Sequence, residues 1–382
     1  MTSAAGVRKN KAPFPWFGGK SGAASHIWAA LGDVHHYVEP FAGSLAVLLL
    51  RPHEANRTYH SETVNDVDGL LVNAWRSIQL SPDATADAAS WPVAEADLHA
   101  RHLTLVRWRE ERQLEHLMGD PAFHDPVMAG WWLWGQSAWI GSGWCSGRGA
   151  WTVGADGRIT KGQGADRKRP NVGNNGKGVA HAGAREPGVA RQLPRVSCSG
   201  TGVNQPLARE AGVGDFHELT MPEVLAWFRF LSARLRHVRI LNGDWSRAVT
   251  SGAVKLITVR TGKGKAGIFL DPPYAGSVRA GDLYAHDDHD VAADVNRWCV
   301  ENGDDHDLRI VVAGFDEEHR NLVALGWREV EWFRAGFLSG GMGNTSKKGT
   351  HQQHRERLWM SPHCLDASVG EEQSGLFGEG WE

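Results

Sequence analysis

The stretch Phe269-Leu270-Asp271-Pro272-Pro273-Tyr274 puts a carboxylate, a stiff carbonyl and an aromatic ring side by side. The apolar run before it, Gly267 to Leu270, reads as a buried strand. Prolines lack the N–H that a central strand must donate, so the chain turns there. The groups are thereby placed at the carboxyl end of a strand, where open α/β sheets bind ligands. Taken alone, the tetrapeptide is equally well explained as an ordinary proline turn. The chemistry on offer is more particular. An exocyclic amine on a nucleobase is a weak nucleophile because its lone pair is conjugated into the ring. Acceptors that hold both N–H groups let the nitrogen pyramidalise. Asp271 and the Pro272 carbonyl, held rigid by Pro272 and Pro273, supply such a pair. Tyr274 offers a stacking face to a base withdrawn from its helix.

Other strand ends carry matching groups. Tyr37-Val38-Glu39-Pro40-Phe41-Ala42-Gly43-Ser44 followed by Leu45–Leu50 reads as strand, tight turn and helix, the layout of a first βα unit. It is not G-x-G-x-x-G and no P-loop lysine follows, which disfavours a dinucleotide or triphosphate. Val64-Asn65-Asp66-Val67-Asp68 precedes a helix over Leu70–Ile78, with Leu71, Trp75 and Ile78 on one face. An acid at that point is placed to accept from a ribose diol or to cap the helix, and Asp66 and Asp68 can divide the two roles. The strand Val238–Leu241 ends in Asn242-Gly243-Asp244-Trp245. Near the start, Pro13-Phe14-Pro15-Trp16-Phe17-Gly18-Gly19-Lys20-Ser21 lets the backbone pass close to a ligand and leads into a helix to Leu31. Toward the end, Val291–Val300 and Asp316–Leu325 read as helices. Leu308–Ala313, Trp327–Phe333 and Arg355–Met360 read as strands.

The middle of the chain differs. Residues 81–94 read as a Pro/Ala/Ser/Asp linker, and Leu98–Leu117 as a helix. Val127–Ile140 carries Trp131, Trp132, Trp134 and Trp139 at helical spacing, which core packing explains best. From Gly141 to Gly214 large apolar residues become too few to fix a core. Between Arg158 and Arg195 stand nine Lys or Arg against two acids, although the whole chain of 382 residues has a net charge of −3. A local basic loop suits a DNA backbone. Its candidate contacts are Arg158, Lys161, Arg167, Lys168 and Arg169, joined by Lys347 and Lys348 in a second Gly-rich loop. The four cysteines are far apart and form no C-x-x-C, so no metal or disulfide framework is expected. No apolar run is long enough to span a membrane, and a cytoplasmic protein of a bacterial or phage-infected cell is expected. Residues 361–382, with five acids from Asp366 onward, read as a disordered acidic tail.

Taken in order, P-F-P-W-F-G-G-K-S, Y-V-E-P-F-A-G-S, V-N-D-V-D, a long insert, F-L-D-P-P-Y and the closing R-E-R-L-W strand resemble the Dam-like (D12 class, group alpha) DNA adenine-N6 methyltransferases. The W-G-Q-S-A-W-I-G-S-G-W-C stretch, Trp134–Cys145, is similar to phage-type members. The resemblance implies an α/β, Rossmann-like S-adenosylmethionine-dependent methyltransferase sheet, in residues 13–80 and 236–360. A largely helical, loop-rich target-recognition insert over 81–235 would interrupt it. It implies double-stranded DNA as partner, base flipping, and a phage or restriction-modification setting. Carried over by position, Trp16 and Lys20 would lie beside the donor or base. Glu39, Phe41, Ala42 and Gly43 would line the methionine end, and Asp66 would hold the ribose. Asp244 and Trp245 would stand near the donor's adenine. Asp271 and Pro272 would hold the amine, with Pro273 bracing them and Tyr274 stacking on the base. Two departures stand out: Leu45 occupies a turn position where the family often has glycine, and the insert is unlike that of GATC-specific members. The alternatives are cytosine-N4 methylation and a catalytically silent DNA-binding protein of the same fold.

Overall fold

The apolar runs of the sequence assemble into one mixed sheet. A computed structural model of the chain describes residues 10–16, 18–52, 61–91, 93–109, 114–139, 144–145, 151–153, 159–161, 221–254, 264–273, 288–332 and 355–366. In chain order the elements begin α1 (Ala24–Leu31), β1 (His36–Glu39), α2 (Ala46–Leu49), β2 (Ser61–Asp66) and α3 (Gly69–Leu80). Next come α4 (Pro82–Ala89), α5 (Glu95–Trp108), α6 (Leu114–Gly119), α7 (Pro126–Ala138), the small hairpin β3 (Trp151–Val153) and β4 (Ile159–Lys161), and α8 (Met221–Leu235). The chain then returns to the sheet through β5 (Val238–Asn242), β6 (Ala266–Leu270), α9 (Asp288–Asn302), β7 (Leu308–Phe315), β8 (Arg328–Val330) and β9 (Glu356–Met360).

The seven strands of the main sheet lie in the order β5-β2-β1-β6-β7-β9-β8. β5, β2, β1, β6 and β7 are parallel, and β9 runs antiparallel to both β7 and β8. The chain steps outward from β1 to β2 and β5, then returns to β6 on the other side. The gap between β1 and β6 is therefore the switch point at which such sheets hold ligands. Val38 of β1 is in register with Thr63 on one side and Ile268 on the other. β2 and β6 therefore carry their terminal acids to comparable heights on either side of the turn that follows β1.

Both sheet faces are covered, which explains the continuous apolar strands. Ile268, Leu270, Ile310 and Val312 pack with Val295, Cys299 and Trp327 on one face. Phe269, Val311 and Ala313 point to the other, into a core shared with α1, α3, α7 and α8. This is the two-residue alternation of a strand.

Polar groups brace the edges. Glu62 is buried between Arg51 (3.0 Å) and Arg234 (2.7 Å). β5 is an edge strand, and two side chains from α3 satisfy its carbonyls: Gln79 donates to Val238 and Arg76 to Ile240. Arg76, 2 % exposed, also donates to the carbonyls of Leu117, Asp120 and Phe123. One guanidinium thus ties the sheet edge to the helices that follow.

Several expectations are corrected. Residues 82–89, read as linker, form α4: Pro82 sits in the first turn with Asp83, and the alanines that suggested a linker are good helix formers. Small side chains there serve packing. A Cβ on Gly130 of α7 would lie 2.4 Å from the Ala88 Cβ, so the two helices meet almost backbone to backbone. The helix expected over Leu98–Leu117 is described as α5 up to Trp108 and α6 from Leu114, and residues 110–113 lie outside the described residues. Asp316–Leu325 becomes turns followed by a 3-10 helix, Arg320–Leu325, rather than an α-helix. Trp132 and Trp134 are core residues, as their spacing suggested. Among the described residues no helix is long and apolar enough to cross a membrane.

Candidate active site

The turn after β1 is built by three neighbours. Gly43 (φ 46°) donates its N–H to Asp66 Oδ2 at 3.0 Å, and its carbonyl accepts from the Trp75 indole at 2.9 Å. Its open face lies under Trp16: a Cβ there would be 2.7 Å from the indole nitrogen. Ala42 donates to the Asn65 carbonyl at 2.8 Å. The Asn65 side chain in turn reaches the Pro40 and Gly243 carbonyls (3.1 and 3.0 Å), tying the ends of β1, β2 and β5 together.

Leu45 explains the departure noted in the sequence. It adopts the left-handed conformation (φ 55°, ψ 24°) that a glycine would take easily, and its side chain is fully buried. The backbone cost is about 1–2 kcal/mol. A buried leucine contributes more than that, since its truncation costs about 2–5 kcal/mol. Leu45→Gly should therefore destabilise the protein by roughly 1–3 kcal/mol despite relieving the backbone. A urea midpoint equal to or above wild type would refute that balance.

Of the two acids, Asp68 takes the capping role that the sequence allowed. Asp68 caps α3, accepting from Leu70 (2.9 Å) and Leu71 (3.4 Å). Asp66 accepts from Gly43 and, through Oδ1, from the Asp68 N–H at 2.9 Å. Burial pushes the Asp66 carboxyl up to about 7, against the pull of those N–H donors. Val67 beside it is 49 % exposed, an apolar side chain at the same strand end that the sequence alone did not single out.

Across β1, Asp271 follows β6 with a 21 % exposed side chain and meets Lys20 Nζ at 3.0 Å. Lys20 is buried and also donates to the Gly18 carbonyl at 2.8 Å, so the glycine segment delivers an ammonium to the Asp271 carboxylate. Pro272 is buried and Pro273 half-buried. Glu39 lies beneath, accepting from the Tyr37 hydroxyl at 3.1 Å. Burial holds its carboxyl well above the ordinary range, with the Asp271 charge adding to the effect. Glu356, opposite Phe315 at the end of β9, was not anticipated from the sequence. Its carboxyl is raised by burial and by Asp271 and lowered by Lys20, which marks it as a neighbour of that pair.

Phe41 stacks on Trp245 at 5.9 Å, while Asp244 caps the 3-10 helix Trp245–Ala248 through the Ser246 N–H (2.9 Å). Trp16, Lys20, Glu39, Phe41, Ala42, Gly43, Asp66, Asp271 and Pro272 are therefore gathered around the ends of β1, β2 and β6, with Asp244 and Trp245 on the β5 side. Tyr274, Arg158, Arg167, Lys168, Arg169, Lys347 and Lys348 lie outside the described residues, and Lys161 is described only as the end of β4.

Seven strands in this order, with a glycine turn and acids at neighbouring carboxyl ends, form a Rossmann-like methyltransferase fold. Residues 16–102 match the family model of the D12 class N6 adenine-specific DNA methyltransferases. That match covers the first βα units of the sheet and supports a DNA adenine-N6 methyltransferase. The match spans Trp16, Lys20, the Glu39–Gly43 turn and Asp66, whereas Asp271 and Pro272 enter the site through the sheet's topology. A search of curated proteins finds no match to the chain.

Proposed function

We propose that the chain takes its methyl group from S-adenosylmethionine and delivers it to the amine of an adenine turned out of duplex DNA. The observation that carries this reading is the pairing, across β1, of the Gly43–Asp66 turn with the Lys20-held Asp271. The donor set has the required chemistry: a carboxylate for a diol, the apolar Val67 for a purine face, and a left-handed turn for a polar chain end. S-adenosylmethionine supplies a methyl group already activated on a sulfonium. Asp271 and the Pro272 carbonyl accept the two amine N–H bonds and orient the nitrogen lone pair. Lys20 keeps the Asp271 carboxylate in place. Tyr274 gives the extruded base its stacking partner. The basic segments with Arg158, Lys161, Arg167, Lys168, Arg169, Lys347 and Lys348 contact the DNA backbone, and residues 81–235 carry target recognition.

The test is mass spectrometry of nucleosides from unmethylated duplex DNA incubated with the protein and S-adenosylmethionine. N6-methyldeoxyadenosine is the expected product, and its positions give the recognised sequence. N4-methyldeoxycytidine would overturn the base assignment, and no methylated nucleoside at all would overturn the reaction.

A pH dependence follows from Asp66. Ribose hydroxyls donating to this carboxylate favour its ionised form, so binding must expel a proton below about pH 7. Affinity for S-adenosylhomocysteine should therefore rise with pH up to about 7, by as much as about tenfold per unit, and level off above it. Asp66→Asn should flatten the profile in titration calorimetry. A flat wild-type profile would remove Asp66 from the ribose.

A further inference from the structure

Resting on the donor reading above, we propose that Trp75 is a positioning residue for the methionine end of the donor. Its sequence position marks it only as part of the apolar face of α3. The structure gives it a second task. The indole is 1 % exposed, and its N–H donates to the Gly43 carbonyl at 2.9 Å. Gly43 is therefore held from both sides, by Asp66 on its N–H and by Trp75 on its carbonyl. That fixes the peptide planes of a turn whose φ values at Gly43 and Leu45 are both positive. Trp28 performs the same service one turn later, donating to the Val47 carbonyl of α2 at 2.8 Å.

Satisfying every buried indole is not a requirement of this fold, because the Trp227 and Trp359 N–H groups are buried with no hydrogen-bond partner among the described residues. The Trp75 bond is thus a specific placement rather than a general consequence of burial. The ring is steadied by Phe14 at 5.4 Å, and Phe14 also contacts Trp16 (5.9 Å) and Trp132 (5.2 Å). The turn's brace is therefore itself braced by the N-terminal segment and by α7.

The test compares two probes. S-adenosylhomocysteine reaches the turn with its amino-acid end, whereas adenosine has no such end. Trp75→Phe keeps a ring in the core but removes the N–H together with part of the indole's volume, so adenosine binding serves as the control for a general packing loss. In titration calorimetry its affinity for S-adenosylhomocysteine should fall about tenfold, the effect of one hydrogen bond, while adenosine binding stays within about twofold. Equal losses for both probes, or no loss for either, would overturn the proposal. In the wild-type protein, the Trp75 indole N–H resonance, assigned by its contact with Phe14, should shift with S-adenosylhomocysteine and hold still with adenosine. A shift of equal size with both would also count against it, even if the variant does not fold. Wild-type protein that binds neither probe would sink the donor reading first and this proposal with it.

Discussion

Asp271→Ala should lower N6-methyldeoxyadenosine formation by at least about a hundredfold while leaving S-adenosylhomocysteine binding nearly unchanged. The carboxylate stands at the end of a strand paired on both sides, so its backbone is fixed by β1 and β7 independently of the side chain. In the proposed role, its removal would take away an acceptor whose value lies in the transition state, when the amine becomes acidic as the methyl arrives. Interactions of that kind lower turnover more than ground-state binding. The change also leaves Lys20 buried without its carboxylate, so Asp271→Asn is the better-behaved companion. It keeps shape and one acceptor oxygen and should retain partial activity. Product within tenfold of wild type in the alanine variant would take Asp271 out of the reaction. Parallel loss of donor binding and turnover would make its role structural.

The second large effect is on stability. Arg76→Met should cost about 3–5 kcal/mol, read from the urea midpoint. Methionine preserves the stem but leaves the carbonyls of Ile240, Leu117, Asp120 and Phe123 without the donor that joins them. Buried acceptors stripped of a charged donor carry their full desolvation penalty. Lysine would not rescue the loss, because a single ammonium cannot span the fork that reaches both Ile240 and the Leu117–Phe123 segment. A loss under about 1 kcal/mol would show that the helices dock without it.

The two predictions draw on different amounts of sequence information. Asp271, Pro272, Gly43 and Asp66 were legible because strand ends, prolines and glycine turns leave local signatures. Sheet order then brought them together. Arg76 was not legible: an arginine on a helix reads as solvated, and its partners lie up to 164 positions away. Trp75 was legible as apolar but not as a donor, since periodicity reports a face and says nothing of what an indole N–H will meet. Residues 82–89 were misread because alanine and serine fit both a linker and a tightly packed helix, and only the facing Gly130 decides between them. Glu356 acquires its neighbours through β9, which runs antiparallel between β7 and β8.

The fit of Ala88 against Gly130 bears on how such a protein can change its target. A graft spliced at residues 81 and 235 would remove both sides of that helix contact together and discard every Arg76 partner in the 117–123 segment. Junctions after Ala138 and before Met221 would leave α4 to α8 in place and confine the exchange to the stretch between them. Chimeras cut at those inner points should remain soluble where whole-insert exchanges precipitate. With target recognition carried by the insert, as proposed above, the inner junctions would let a lineage rewrite its recognised sequence without reopening its core.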